Sequence, residues 1–259
     1  MENYQPIGLF DSGIGGTSIW KAIHQLLPHE DTLYLADSKN APYGIKSKAE
    51  IIALSRKNTE FLLDHQCKII VVACNTATTN AIQELRARYS VPFIGIEPAI
   101  KPAALHSRTH KIGILATQGT LNSALFHQSM QQYQDVVFVE QIGHGLVELI
   151  ENGQIDSPTM ESLLHQYLRP MIAANIDYLV LGCSHYPYLI PQIQKILPPH
   201  ITIIDSGEAV ARQTQRVLEQ TVGLRNPTTP SSQRFFTNTH PQVLEAILDH
   251  KYPVIPTDF

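Results

Sequence analysis

The chain has 259 residues, 43% of them hydrophobic and 16% charged, the balance of a globular fold with a full core and not of a disordered or fibrous chain. A net charge of −4 gives no footing for general nucleic-acid binding, and three cysteines do not make a disulfide framework. No apolar run reaches the roughly 18 residues that span a bilayer, and MENYQPIGLF at the start lacks the marks of a signal peptide, so a cytoplasmic protein with neither membrane nor nucleic-acid partners is expected.

Ile7 to Phe10 read as a short apolar strand, DSGIGG at Asp11 to Gly16 as a glycine-rich turn, and Thr17 to Leu27 as a helix, the opening of a βα unit. Thr32 to Ala36 suggest a second strand, followed by a loop carrying PYG at Pro42 to Gly44. Ser47 to Gln66 repeat apolar residues at helical spacing. Ile69 to Ala73, apolar and largely β-branched, deliver Cys74 to a polar boundary at Asn75 and Thr76; a helix over Ala81 to Leu85 and a strand over Val91 to Ile96 follow.

From Lys111 the pattern begins again. Ile112 to Leu115 read as a strand, Ala116 to Thr120 as a turn, Asn122 to Gln132 as a helix, Val136 to Val139 as a strand, and Gly145 to Asn152 and Ser157 to Ala174 as helices. Tyr178 to Leu181 deliver Gly182, Cys183, Ser184 and His185 to another turn, and Ile201 to Ile204 form a further strand. Leu224 to Gln233 read as a polar loop, and a last strand-helix-strand over Arg234 to Phe259 is expected to pack back onto one half. Helices or long loops separate the strands, so the sheets should be mainly parallel.

The halves match in register: IGLFDSGIGGTS at 7–18 resembles IGILATQGTLNS at 112–123, and IIVVACNTA at 69–77 resembles YLVLGCSHY at 178–186. This points to an internal duplication. The expected fold is α/β, two pseudo-twofold-related domains with mainly parallel sheets. Residues 1–98 with 210–259 form the first domain and 99–209 the second, with the site in the cleft between them.

Cys74 falls at a strand end beside a helix N-terminus, whose amides favour thiolate. A buried cysteine alone is more often a small core hydrophobe, and Cys67, which precedes its strand, is assigned no role. Cys183 at the matched strand end changes the question. Two thiols on opposite faces of a small ligand suit inversion of a stereocentre bearing hydrogen, where one takes a proton and the other returns one.

DSGIGG at Asp11 to Gly16, PYG at Pro42 to Gly44, ACNTA at Ala73 to Ala77 and GCSHYP at Gly182 to Pro187, in this order and spacing, resemble the glutamate racemases of the aspartate/glutamate racemase family. The resemblance covers nearly the whole chain. It implies a cofactor-independent interconversion of L- and D-glutamate that supplies D-glutamate for peptidoglycan, with glutamate as the small-molecule partner and a homodimer as the expected assembly. Carried over, Cys74 is the base for D-glutamate and Cys183 the base for L-glutamate, with Asp11, His185 and Glu151 assisting. Asp11, Ser12, Tyr43, Gly44, Asn75, Thr76, Ser184 and His185 fall on the substrate-contacting motifs.

Ser184 stands where the family usually has threonine, keeping the hydroxyl and losing a methyl. His185 resembles the glutamate-specific branch, related aspartate racemases tending to a carboxylate here. No Cys/His spacing forms a convincing metal site, and no lysine has a recognisable pyridoxal-phosphate context. The alternatives are an aspartate or broad-specificity amino-acid racemase, a non-catalytic amino-acid-binding module, and a cysteine hydrolase, which leaves the second cysteine unexplained.

Overall fold

The computed structural model describes residues 3–226 and 230–259; positions 227–229 of the expected polar loop lie outside the described residues. Strands β1 (Ile7–Asp11), β2 (Thr32–Ala36), β3 (Ile69–Val72) and β4 (Phe93–Gly95) are linked by helices Thr17–Leu26, Lys48–Asp64 and Asn75–Arg88. β5 (Lys111–Ala116), β6 (Val137–Ile142), β7 (Tyr178–Gly182) and β8 (Thr202–Ile204) form a second sheet. β9 (Gln233–Thr237) and β10 (Val254–Pro256) extend the first sheet beyond β2, so the last strand-helix-strand packs back as expected.

The strand order β2-β1-β3-β4 of the first sheet recurs in the second as β6-β5-β7-β8, with every pairing parallel. The duplication read in the sequence is therefore also one of topology. β1, β2 and β3 are buried along their whole length, which is why their sequences run apolar instead of alternating. In both sheets the connections leave in opposite directions at the central pair, β1 with β3 and β5 with β7. The carboxyl ends of such a pair leave the crevice where ligands bind in α/β folds.

Several boundaries move for physical reasons. The helix expected from Ala81 begins at Asn75: Cys74 caps it, and the Thr78 hydroxyl donates to the Val72 carbonyl at 3.1 Å, so packing overrides the weak helix propensity of these polar residues. The turn at Ala116 to Thr120 is in large part a one-turn helix, Gln118–Leu121, whose Thr120 amide is capped by the Thr117 hydroxyl. Helices Ile100–His106 and Ile190–Ile196, not expected from the sequence, contain Pro102 and Pro191, which are tolerated in a first helical turn. A third helix missed in the sequence, Gly207–Val217, packs on Thr17–Leu26.

Candidate active site

Asp11, the last residue of β1, is fully buried. Its Oδ2 accepts the amides of Gly13 at 3.2 Å and Gly16 at 3.0 Å, and its Oδ1 accepts the Ser184 hydroxyl of the other half at 3.0 Å. Cys74 leaves β3 as the N-cap of the next helix, its sulfur accepting the Ala77 amide at 3.4 Å and lying 3.7 Å from the Ser12 hydroxyl. Cys183 leaves β7 in the matching position, its sulfur 3.8 Å from His185 Nδ1.

The second half reaches across to the first through His185 and Glu151. Glu151 ends the helix Leu146–Glu151; its Oε1 lies 2.5 Å from His185 Nε2 and accepts the Ile14 amide at 2.7 Å, while Oε2 accepts the Ser38 hydroxyl at 2.8 Å. The Gly15 amide also lies 3.3 Å from Nε2, but a nitrogen cannot donate to Glu151 and accept from Gly15 at once. The short approach to a carboxylate makes Nε2 the donor.

This packing explains the glycines of DSGIGG. A Cβ on Gly13 would fall 1.9 Å from Glu151 Oε1, and one on Gly15 would fall 2.2 Å from His185 Nδ1. The glycine-rich turn receives side chains from the other half in the space where comparable turns receive phosphate.

The surroundings of the two sulfurs differ. Burial opposes a charge on His185, but its contacts with the Cys183 sulfur and Glu151, with Asp11 nearby, outweigh it and hold the imidazole well above its ordinary range. These contacts favour the charged form of His185 on the Cys183 side. On the other side, burial and the Asp11 charge push the Cys74 thiol up, and the Ala77 amide and Ser12 hydroxyl offset only part of this. The helix terminus favours the Cys74 thiolate, but burial and Asp11 outweigh it and favour the thiol. Burial likewise raises Asp11, against His185 and the Gly16 amide.

Both cysteines line one small cavity. Ser12, Tyr43, Gly44, Asn75, Thr76, Ser184 and His185 share its wall, while Asp11 and Glu151 stand behind it. Asn75 is 2% exposed, and among the described residues neither its amide nitrogen nor its oxygen has a hydrogen-bond partner. Tyr43 has no free hydroxyl to offer: it donates to Asp37 at 2.5 Å and accepts from Asn58 at 3.1 Å.

Pro42 of the PYG motif, Thr117 and Val147 also line the cavity, and the last two were not singled out in the sequence. Thr117 was within reach, since it occupies in the second repeat the place Ser12 holds in the first. Its hydroxyl lies 2.8 Å from that of Thr76. Among the described residues, no cluster of three or more His, Cys, Asp or Glu is placed to hold a metal ion, and no helix is long and apolar enough to cross a membrane.

Paired strand ends, each presenting a cysteine to one cleft, define a racemase-type α/β protein, and comparison with known proteins agrees. The Asp/Glu/Hydantoin racemase family matches residues 7–214. A glutamate racemase from Herpetosiphon aurantiacus is 45% identical over 238 residues, 92% of this chain and 94% of that one. Another, from Cupriavidus pinatubonensis, is 48% identical over 217 residues, 83% and 80% of the two chains.

Among solved structures, the Escherichia coli glutamate racemase in complex with L-glutamate and the activator UDP-MurNAc-ala has a TM-score of 0.87 at 30% identity, covering 97% of each chain. The Bacillus anthracis isoform RacE1 gives 0.86 at 30%, covering 98% of each. An aspartate racemase from Picrophilus torridus, at 18% identity and a TM-score of 0.55 over 84% of this chain and 96% of that one, shares the fold alone. The chain belongs to the Asp/Glu/hydantoin racemase family and, within it, to the glutamate racemases. It is an isomerase of the amino-acid racemase kind.

Proposed function

We propose that this enzyme interconverts L- and D-glutamate without a cofactor, by proton transfer at the α-carbon between two thiols, and so supplies D-glutamate for peptidoglycan. The observation that carries this reading is that Cys74 and Cys183, at equivalent strand ends of a repeated topology, line one small buried cavity.

Inversion needs a base on one face of the carbon and an acid on the other, because a single base tends to return the proton to the face it came from. The unequal surroundings of the sulfurs supply such a pair. Burial and Asp11 favour the thiol form of Cys74, and Cys183 lies beside His185, whose contacts favour its charged form. In this state Cys183 takes the proton of L-glutamate while Cys74 delivers one to the opposite face; the roles exchange for D-glutamate.

The α-carbon is a very poor acid, so hydrogen bonds must stabilise the charge that develops. Asn75, with both polar atoms of its buried amide unpartnered among the described residues, is poised to bind a substrate charge, and Ser12, Thr76 and Ser184 supply hydroxyls around it. The substrate α-ammonium brings the counter-charge that Asp11 lacks on the Cys74 side.

Both thiols are buried, so the site must open for glutamate to enter. We read residues 1–98 with 210–259 as one moving unit and 99–209 as the other. The chain crosses between them near Glu97 and Ser206, where the Ser206 hydroxyl donates to the Glu97 carbonyl.

The test is replacement of each thiol. Cys74→Ala and Cys183→Ala should each abolish racemisation of glutamate followed by circular dichroism. Unchanged turnover in either variant removes the two-thiol scheme, and dominant turnover of aspartate by the native enzyme removes the choice of substrate.

A further inference from the structure

Glu151 carries an unusual share of contacts for a residue outside the cavity wall. Its carboxylate accepts from three groups: His185 of its own half at 2.5 Å, and the Ile14 amide and Ser38 hydroxyl of the opposite half at 2.7 Å and 2.8 Å. Two of these donors belong to the loops after β1 and β2. The carboxylate is therefore fully satisfied only when the halves are closed on one another.

Of the two, the Ile14 amide is backbone, and Ser38 is a side chain held in place on purpose-built supports. Asp37 before it is fully buried, with its amide donating to the Asp11 carbonyl at 3.1 Å. The Asp37 carboxylate accepts from Asn40 at 2.7 Å and from Asn238 at 2.5 Å, and the Lys39 amide donates back to Asn238 at 2.9 Å. The turn Ser38–Asn40 is thus clamped from within and from the C-terminal extension of the sheet. Its clamping fixes where the Ser38 hydroxyl points.

We propose that Ser38 is a positioning residue for proton transfer at Cys183: on closure its hydroxyl fixes the Glu151 carboxylate, which in turn aligns the His185 ring on the Cys183 sulfur. Ser38 does not line the cavity and touches no reacting atom; it acts through Glu151 and His185. Without it the carboxylate keeps His185 and Ile14 on one oxygen and is free to rotate about its bond. The proposal rests on the two-thiol reading and adds to it a residue outside the cysteine motifs.

The two directions of a racemase must share one kcat/KM, because enantiomers have equal free energy in water. A fault confined to the Cys183 side therefore shows as unequal isotope effects and not as unequal rates. In Ser38→Ala, losing a hydrogen bond to a charged group should lower kcat/KM about tenfold in both directions. The primary isotope effect with α-deuterated L-glutamate, whose deuterium Cys183 removes, should rise. The effect with α-deuterated D-glutamate should fall, because the Cys74 step then no longer limits the rate. Ser38→Thr, which keeps the hydroxyl, should restore both.

Native kcat/KM and isotope effects in Ser38→Ala would overturn the proposal. So would a rate loss in which both isotope effects move together or the threonine variant fails to recover, since a merely structural role predicts that pattern. Should Ser38→Ala not fold, Ser38→Cys keeps the volume, weakens the donor and allows the same comparison. If native enzyme shows no α-deuterium isotope effect with either enantiomer and no solvent deuterium enters the product, the two-thiol reading itself fails, independently of Ser38.

Discussion

Gly15→Ala tests the geometry of the site without touching a titratable group. The added methyl carbon would lie 2.2 Å from His185 Nδ1 and 2.4 Å from its Cγ, where ordinary contact begins at 3.4 Å. Relief needs a shift of 3.4 − 2.2 = 1.2 Å, and the crowded atoms belong to a ring buried to 1% exposure. A shift of that size breaks the 2.5 Å contact with Glu151 or the 3.8 Å contact with Cys183. Misplacement of a catalytic group by about 1 Å costs on the order of 100-fold in rate, and overpacking costs about 1–3 kcal/mol of stability. Circular dichroism of glutamate racemisation should show kcat reduced by about two orders of magnitude with a much smaller change in KM. Activity within about threefold of native, about 0.6 kcal/mol of barrier, would refute the claim that this glycine exists to admit His185.

Four further substitutions or titrations follow from the same contacts. Asn75→Ala removes an amide that has no partner among the described residues, so the free protein should lose no stability on thermal melting while KM for glutamate rises about tenfold or more. Cys74→Ser replaces a weak N-cap with a preferred one; the variant should be inactive yet melt no lower than native, by up to about 1 kcal/mol in its favour. Burial pushes the Cys67 thiol up to about 12, so peptide mapping after iodoacetamide at about pH 8 should find it unmodified in folded protein and modified in urea. His185, held well above its unfolded value near 6.5, adds stability that is fully present below that pH and is lost as pH rises through its folded value. Thermal melting should therefore fall more steeply on the alkaline side in native protein than in His185→Gln, and parallel curves would contradict the assignment of a cationic His185.

The sequence made the repeat, the parallel sheets and the paired cysteines legible because long apolar strands and glycine-rich turns leave strong local patterns. Asp11, Cys74 and Cys183 all fall at or just beyond strand ends, where a buried run meets polar residues, and that transition is visible in one dimension. What escaped depends on contacts between distant segments. Ser38 and Glu151 are 113 positions apart, and nothing near either residue announces the other. The surroundings of Cys74 escaped for a similar reason: the helix terminus is a local feature, but burial and Asp11, which oppose it, arise from the tertiary structure. The helix at Asn75 was placed late because its polar first turn resembles a loop until Cys74 and Val72 supply its hydrogen bonds.

The most direct test of two thiols acting on opposite faces is where deuterium goes in heavy water at early times. Starting from L-glutamate, proton magnetic resonance with a chiral separation should find solvent deuterium at the α-carbon of the D-glutamate formed and none in the L-glutamate recovered, with the mirror result from D-glutamate. Deuterium entering recovered substrate as fast as product would mean one base serving both faces, and would contradict the account.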